Sequence, residues 1–207
     1  MIKTIIFDLG GVYFTKGTDI AYKKLIKAFP DISPKKISGI IHGGIGEKYR
    51  LGKITKKDFW SQAKKNVGFN FDVKRFAEIW HSSYKLNKDV EMIVKKLRKH
   101  YKMVVLSGNT RERVKFLENK YGFKKYFDII VLSYNVGANK YKGSITNVDS
   151  KIYEHLFRRL KQKGEGCVLI DDNKIFLEPA KKLGMKTIHF KNAKQLKKEL
   201  KKLGVKV

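Results

Sequence analysis

The chain has 207 residues, of which 42% are hydrophobic, and it carries a formal net charge of +28 at pH 7. This length and apolar content allow a substantial buried core, which excludes global disorder and suits one domain or a core with a smaller insertion. No apolar run approaches the roughly 20 residues that a membrane span needs. Cys167 is the only cysteine, so the chain cannot form an internal disulfide, and we expect a soluble protein of the reducing cytoplasm.

The positive charge comes mostly from lysines that are spread along the chain rather than gathered into one basic stripe. A field of this sign concentrates anions such as phosphate esters, nucleic acid or acidic lipid near the surface. Dispersed charge is a weaker signal for nucleic-acid binding than a single stripe, so we favour a Lys-rich, solvated exterior. Polyanion binding should then be unspecific and should weaken steeply as the salt concentration rises.

The hydrophobic pattern of the first 86 residues predicts one strand followed by helices. Residues 2–9 have the character of a buried strand, and the strand is followed by a Gly–Gly turn. Helix start signals follow at Ser33, which precedes a proline, and at Thr55. The apolar residues that these helices place inward are Ala21, Leu25, Ala28, Phe29, Phe59, Trp60, Ala63, Phe76, Ile79 and Trp80. No strand pattern occurs here, so we interpret residues 14–86 as an all-helical insertion.

From residue 87 onward, predicted helices and strands alternate. The helices are residues 89–99, 110–120, 150–160, 177–183 and the segment that carries Ala193, Leu196, Leu200 and Leu203. The strands are residues 103–106, 129–132, 168–170 and 187–190. Such alternation is typical of a parallel sheet with helices on both faces. We therefore predict an α/β, doubly wound, Rossmann-like core formed by residues 1–13 and 87–207.

Polar residues and glycines stand at the carboxyl ends of the predicted strands, where sheets of this kind bind ligands. In strand order they are Asp8, Gly10 and Gly11; Ser107, Gly108 and Asn109; Gly137 and Lys140; and Asp171 and Asp172. Taken singly, each has an ordinary role in a turn or a helix cap. The adjacent carboxylates of Asp171 and Asp172 repel each other, however, and a divalent cation is a natural way to hold such a pair.

This set of groups is suited to phosphoryl transfer. A carboxylate can attack phosphorus and form an acyl phosphate, and Mg²⁺ is usually bound through one or two carboxylates plus the phosphate of the substrate. A lysine can hold the charge of a phosphoryl group, and the backbone N–H groups of a Gly-rich turn can cradle its oxygens.

Four short segments resemble, in the correct order, the four motifs of the haloacid dehalogenase-like hydrolases. They are FDLGGV at 7–12, VVLSGNT at 104–110, NVGANK at 135–140 and LIDDN at 169–173. The segment GEKYRLGKITKKDFW at 46–60 is similar to the helical cap that one large subfamily inserts after the first motif. The resemblance covers nearly the whole chain. It implies a magnesium-dependent phosphatase in which residues 14–86 form a cap that closes the site and selects a small phosphorylated substrate.

The same resemblance implies a role for each motif residue. Asp8 would be the nucleophile, and Ser107 would hydrogen-bond the phosphoryl group. Lys140 would offset the negative charge of the phosphate and of the nucleophile. The expected Mg²⁺ ligands are Asp8, Asp172 and the carbonyl of Gly10, with Asp171 in or beside the coordination sphere. The expected substrate contacts are Gly11, Gly108, Asn109 and Arg50. Further cap residues that lie where they could face the ligand are His42, Glu47, Lys48 and Tyr49.

Three positions depart from the family pattern. Gly10 stands where the family usually carries the aspartate that acts as general acid, so we expect substrates whose leaving group is stable as an anion or is protonated by another group. An insertion follows Lys140, so Lys142 competes for the lysine role, although the spacing from Gly137 favours Lys140. Phe176 occupies a position after the acidic pair that is often polar in related sequences.

Two other functions are compatible with the sequence. A metal-independent 2-haloacid dehalogenase also uses an aspartate nucleophile, but the pair of Asp171 and Asp172 argues against it. A catalytically degenerate phosphatase fold that binds nucleic acid or another polyanion is favoured by Gly10, the altered fourth motif and the net charge. Aromatic residues interleaved with lysines at 124–127 and 140–142 are compatible with that binding. The intact nucleophile, lysine and acidic pair favour the enzyme.

Overall fold

The computed structural model describes residues 1–140 and 150–207, and residues 141–149 lie outside this description. The described residues form a five-stranded sheet in the order β3-β2-β1-β4-β5, in which all neighbouring strands are parallel. The strands are β1 (Thr4–Phe7), β2 (Lys102–Ser107), β3 (Ile129–Leu132), β4 (Cys167–Asp171) and β5 (Lys186–His189). The strand order reverses between β1 and β4, which is the topological switch point where such sheets bind ligands. The predicted doubly wound α/β fold is confirmed.

Helices cover both faces of this sheet. Between β1 and β2 lie α1 (Gly17–Ala28), α2 (Pro34–Ile41), α3 (Gly44–Arg50), α4 (Lys56–Val67), α5 (Val73–Ser82) and α6 (Lys88–Leu97). The later helices are α7 (Arg111–Tyr121), α8 (Ser133–Val136), α9 (Ser150–Leu160), α10 (Lys174–Lys182) and α11 (Ala193–Lys202). Within the described parts of the chain, none of these helices has the length and apolar character needed to cross a bilayer.

The central strands are buried on both faces because apolar side chains alternate into two clusters. Ile5, Phe7 and Val105 belong to one cluster, and Ile6 and Leu106 belong to the other. A third apolar cluster lies among helices α1 to α5 and includes stacked and edge-on rings of Tyr49, Phe59, Trp60, Phe76 and Trp80. The helical segment therefore has its own apolar interior. The exact division at residues 14 and 86 stays a prediction.

Several element boundaries differ from the prediction. Helix α10 begins at Lys174 rather than at residue 177, because the Asn173 side chain caps it by accepting a hydrogen bond from the Ile175 N–H at 3.1 Å. Strand β1 is shorter than the predicted 2–9, and β5 begins and ends one residue earlier than predicted. Helices α3 and α8 were not predicted. In α3, glycines obscure the helical pattern, yet a Cβ at Gly46 would lie 2.6 Å from the Ile40 carbonyl oxygen, so packing requires glycine there.

Candidate active site

Asp8 and Lys140 form a buried ion pair at the switch point. Asp8 directly follows β1, and its backbone N–H donates to the carbonyl of Ile170 in β4 at 3.0 Å. The Nζ of Lys140 lies 2.9 Å from Asp8 Oδ1 and also donates to Asp171. Lys140 is only 1% exposed and Asp8 only 8% exposed. The structure thus brings the predicted lysine to the predicted nucleophile, while its competitor Lys142 lies outside the described residues.

The charges of this pair depend on each other. Burial raises the pKa of the Asp8 carboxyl, the ammonium of Lys140 opposes that rise, and the charge of Asp171 adds to it. Burial alone would lower the pKa of Lys140, but the carboxylates of Asp171 and Asp8 outweigh burial and raise it. Lys140 therefore stays protonated. The ionised form of Asp8 depends on the positive charge around it, and a divalent cation would favour that form in the same way.

Three carboxylates converge next to this lysine. Single side-chain oxygens of Asp8, Asp171 and Asp172 all lie within 4.8 Å of one another. Asp171 is fixed because its Oδ1 accepts a hydrogen bond from the Asn173 N–H at 2.9 Å. Asp172 Oδ2 pairs at 3.0 Å with the Nζ of Lys16, whose side chain is 62% exposed and can therefore swing away. These oxygens could hold a hard cation such as Mg²⁺, which prefers carboxylate ligands.

Gly11 shapes this acidic cluster through its backbone. Its φ is +83°, a conformation that residues with a side chain rarely adopt. A Cβ at this position would lie 2.3 Å from Asp172 Oδ2, so any side chain would displace the carboxylate. The first and fourth motifs can approach each other because residue 11 is glycine.

A cleft of about 460 Å³ opens beside Asp8 and gathers residues of three motifs. The predicted site residues that line it, together with Asp8, are Gly10, Gly11, Ser107, Gly108, Asn109 and Asp172. Ser107 is the last residue of β2, and the two residues after it precede α7, whose N-cap is Thr110. The parallel arrangement of β1, β2 and β4 thus places these groups at one edge of the sheet, as the sequence predicts.

A second space of about 290 Å³ connects Asp8 and Lys140 to the helical segment. Three of the suggested cap residues line it, namely His42, Glu47 and Arg50. The guanidinium of Arg50 is held in place because its Nη1 donates to the Ile41 carbonyl at 2.8 Å. The other two suggested residues do not line it. Tyr49 is buried and stacks on Phe59 with ring centroids 4.3 Å apart, and Lys48 is exposed.

Four side chains from outside the four motifs also line the cleft beside Asp8. They are Lys16, Thr18, Asp19 and Tyr84. Thr18 Oγ1 and Tyr84 OH share a hydrogen bond, and a Cβ at Gly17 would lie 2.2 Å from the Tyr84 ring. The sequence carries no specific signal for these contacts, because Tyr84 is distant in the chain and reaches the cleft only through tertiary packing.

The family model of the haloacid dehalogenase-like hydrolases matches residues 2–184. The chain therefore belongs to this family of hydrolases. This agrees with the resemblance of the four motifs and with the order of the strands.

The chain is similar to several known proteins, and the share of each protein that it matches differs. An uncharacterized protein of Dictyostelium discoideum is 31% identical over 147 residues, which are 67% of this chain and 61% of that protein, so the chain spans less than two thirds of it. The D-ribitol-5-phosphate phosphatase of Bacteroides thetaiotaomicron is 23% identical over 209 aligned positions, or 97% of each chain. A haloacid dehalogenase family enzyme of the same organism was crystallised with magnesium and inorganic phosphate. Its structure is similar to this one with a TM-score of 0.73 and 23% sequence identity, and the alignment covers 93% of this chain and 96% of that enzyme. At this identity the structural likeness shows the fold.

Proposed function

We propose that the chain is a magnesium-dependent phosphatase that hydrolyses a small phosphorylated metabolite through an aspartyl phosphate on Asp8. The observation that carries the proposal is the placement of Asp8, with the Lys140 ammonium 2.9 Å away and two further carboxylates within 4.8 Å. The ribitol-phosphate phosphatase and the magnesium–phosphate complex found among similar proteins support this chemistry.

The donor set fits Mg²⁺. Its ligands would be oxygens of Asp8, Asp172 and the Gly10 carbonyl, with Asp171 in or beside the coordination sphere. When bound, the ion would supply positive charge that offsets the repulsion between the Asp8 carboxylate and the phosphate. The exposed Lys16 would leave Asp172 as the cation enters, whereas the buried Lys140 would remain between Asp8 and Asp171.

The residues of the cleft would then act in two displacements. An oxygen of Asp8 attacks phosphorus, the O–P bond to the enzyme forms, and the bond to the leaving oxygen breaks. The hydroxyl of Ser107 and donors of Gly108 and Asn109 hold the phosphoryl oxygens, and Lys140 balances their charge. Water next attacks phosphorus, the enzyme–phosphate bond breaks, inorganic phosphate is released and the Asp8 carboxylate is regenerated. The proton that the attacking water loses to the solvent matches the one that the leaving oxygen takes up from it.

The space that extends from Asp8 toward the helical segment would receive the remainder of the substrate. Its lining by His42, Glu47 and Arg50 favours a small, hydroxyl-rich group over an apolar one.

A screen of sugar, polyol and aryl phosphates, with magnesium and after chelation, tests the proposal. We expect phosphate release that requires the ion. Failure to hydrolyse any ester in the screen with magnesium present would refute the proposal.

Replacing Gly11 with Ala should weaken magnesium binding. The new Cβ would meet Asp172 at 2.3 Å, so the carboxylate would have to leave its position in the acidic cluster. Gly137→Ala is the matched control, because Gly137 also has a positive φ (+73°) but has no atom within 4 Å of the added Cβ. Both variants should lose stability, by about 1 kcal/mol from backbone strain. A calorimetric magnesium titration that shows equal affinities for the two variants would contradict the metal assignment.

Replacing Gly10 with Asp should increase activity on alkyl phosphates relative to aryl phosphates. General acid catalysis contributes about 10²–10⁴-fold where the leaving group is a poor one. A Cβ at Gly10 would approach the Tyr84 ring to 3.4 Å, an ordinary contact, so the variant should fold. The measurement is kcat/KM across esters of increasing leaving-group pKa. If the slope of log kcat/KM against leaving-group pKa is the same in Gly10→Asp as in the wild type, the missing carboxyl does not limit protonation of the leaving group.

A further inference from the structure

Arg113, on helix α7, is a buried cation outside the four motifs. It is 2% exposed, and among the described residues no carboxylate forms an ion pair with it. Burying a charge without a counter-ion is costly unless other groups stabilise it. Two aromatic rings do so here, since the guanidinium carbon lies 4.7 Å from the centroid of Trp80 and 4.4 Å from that of Tyr84. Burial lowers the pKa of Arg113, but an arginine keeps its proton in proteins.

The same guanidinium fixes the orientation of Asn109. The Oδ1 of Asn109 accepts hydrogen bonds from Arg113 Nη1 at 3.0 Å and from the Thr110 N–H at 3.1 Å. Two donors on one atom identify that atom as the oxygen of the amide. The Nδ2 group of Asn109 is therefore turned away from Arg113. Among the described residues none accepts a hydrogen bond from it, so its two hydrogens are available to a partner in the cleft that Asn109 lines beside Asp8.

We propose that Arg113 is a positioning residue that orients Asn109 so that its Nδ2 donates to a phosphoryl oxygen. The inference rests on the proposed phosphatase function. Nε and Nη2 of Arg113 meet no acceptor in hydrogen-bonding geometry among the described residues, so Asn109 is the cleft residue that this guanidinium orients, through Nη1.

A double-mutant cycle on phosphate binding tests this proposal. The variants are Arg113→Met, Asn109→Ala and the double variant, titrated with inorganic phosphate in the presence of magnesium by calorimetry. Each single variant should bind phosphate about tenfold more weakly, the effect of one lost hydrogen bond to a charged group. The double variant should be no weaker than Asn109→Ala, because Arg113 acts mainly through Asn109. The matched control is Arg111→Met, since Arg111 is exposed and contacts the Tyr134 ring instead, and it should bind as the wild type does.

Fully additive losses in the double variant, or wild-type affinity in Arg113→Met, would overturn the proposal. If Arg113→Met does not fold, Arg113→Lys replaces it in the double-mutant cycle. A lysine lacks the planar fork needed to lie against both rings and still reach Asn109, so it should weaken binding only while Asn109 is present. A wild-type protein that binds phosphate but hydrolyses no ester would refute the proposed function. The phosphate affinities of the variants would still test the role of Arg113 in that case.

Discussion

Replacing Asp8 with Asn should reduce phosphatase turnover by at least about 10³-fold, because an amide cannot act as the nucleophile. The substitution is close to isosteric, and the amide oxygen can still accept the Lys140 hydrogen bond that the carboxylate now accepts at 2.9 Å. The fold and the melting temperature should therefore change little. The measurement is kcat on an aryl phosphate with magnesium, together with a thermal melt.

A matched control for this variant is Asp19→Asn. Asp19 is an exposed carboxylate that lines the same cleft but lies outside the acidic cluster. The Asp19→Asn variant should retain most of the activity. This result would distinguish loss of the nucleophile from a general loss of negative charge in the cleft. Full activity in Asp8→Asn would mean that another group attacks phosphorus and that the mechanism is wrong.

Replacing Lys140 with Ala should lower kcat/KM by about 10²–10³-fold, as expected when a preorganised group facing the transition state is removed. The change would leave the buried carboxylates of Asp8 and Asp171 without their shared partner. Since the Lys140 ammonium opposes the rise in the pKa of Asp8, its loss should raise that pKa further. A smaller fraction of the nucleophile would then be ionised at a given pH, so activity should recover partly as the pH rises.

Lys140→Ala should also destabilise the protein, because breaking a buried ion pair costs about 3–5 kcal/mol. Magnesium should restore part of this loss by neutralising the same carboxylates. Lys142→Ala is the control that the sequence itself suggests, and it should be close to wild type in both rate and melting temperature. A larger effect from Lys142 than from Lys140 would refute the assignment of the motif lysine.

The parts of the site that follow from the sequence are those fixed by strand ends. Asp8, Ser107 and Asp171 each lie at or directly after the end of a buried strand, and a parallel sheet brings such ends to one edge. Lys140 could be placed because its spacing from Gly137 matches the third motif. The same logic predicted the alternation of strands and helices in residues 87–207.

The parts that could not be predicted depend on tertiary packing. Tyr84 reaches the cleft because Gly17 leaves room for its ring, and neither residue stands in a recognisable pattern. Arg113 looks like a surface residue of an amphipathic helix, yet rings from α5 and from the segment after it bury its charge. Helix α3 has two glycines, so local propensity argues against a helix that packing nevertheless stabilises.

The stereochemical course at phosphorus tests the central claim most directly. A phosphate ester that is isotopically chiral at phosphorus would be turned over with magnesium, and the phosphoryl group would be captured on an acceptor alcohol. Two in-line displacements, first onto Asp8 and then onto the acceptor, predict overall retention of configuration. Inversion would show a single direct displacement and would contradict an aspartyl phosphate on Asp8.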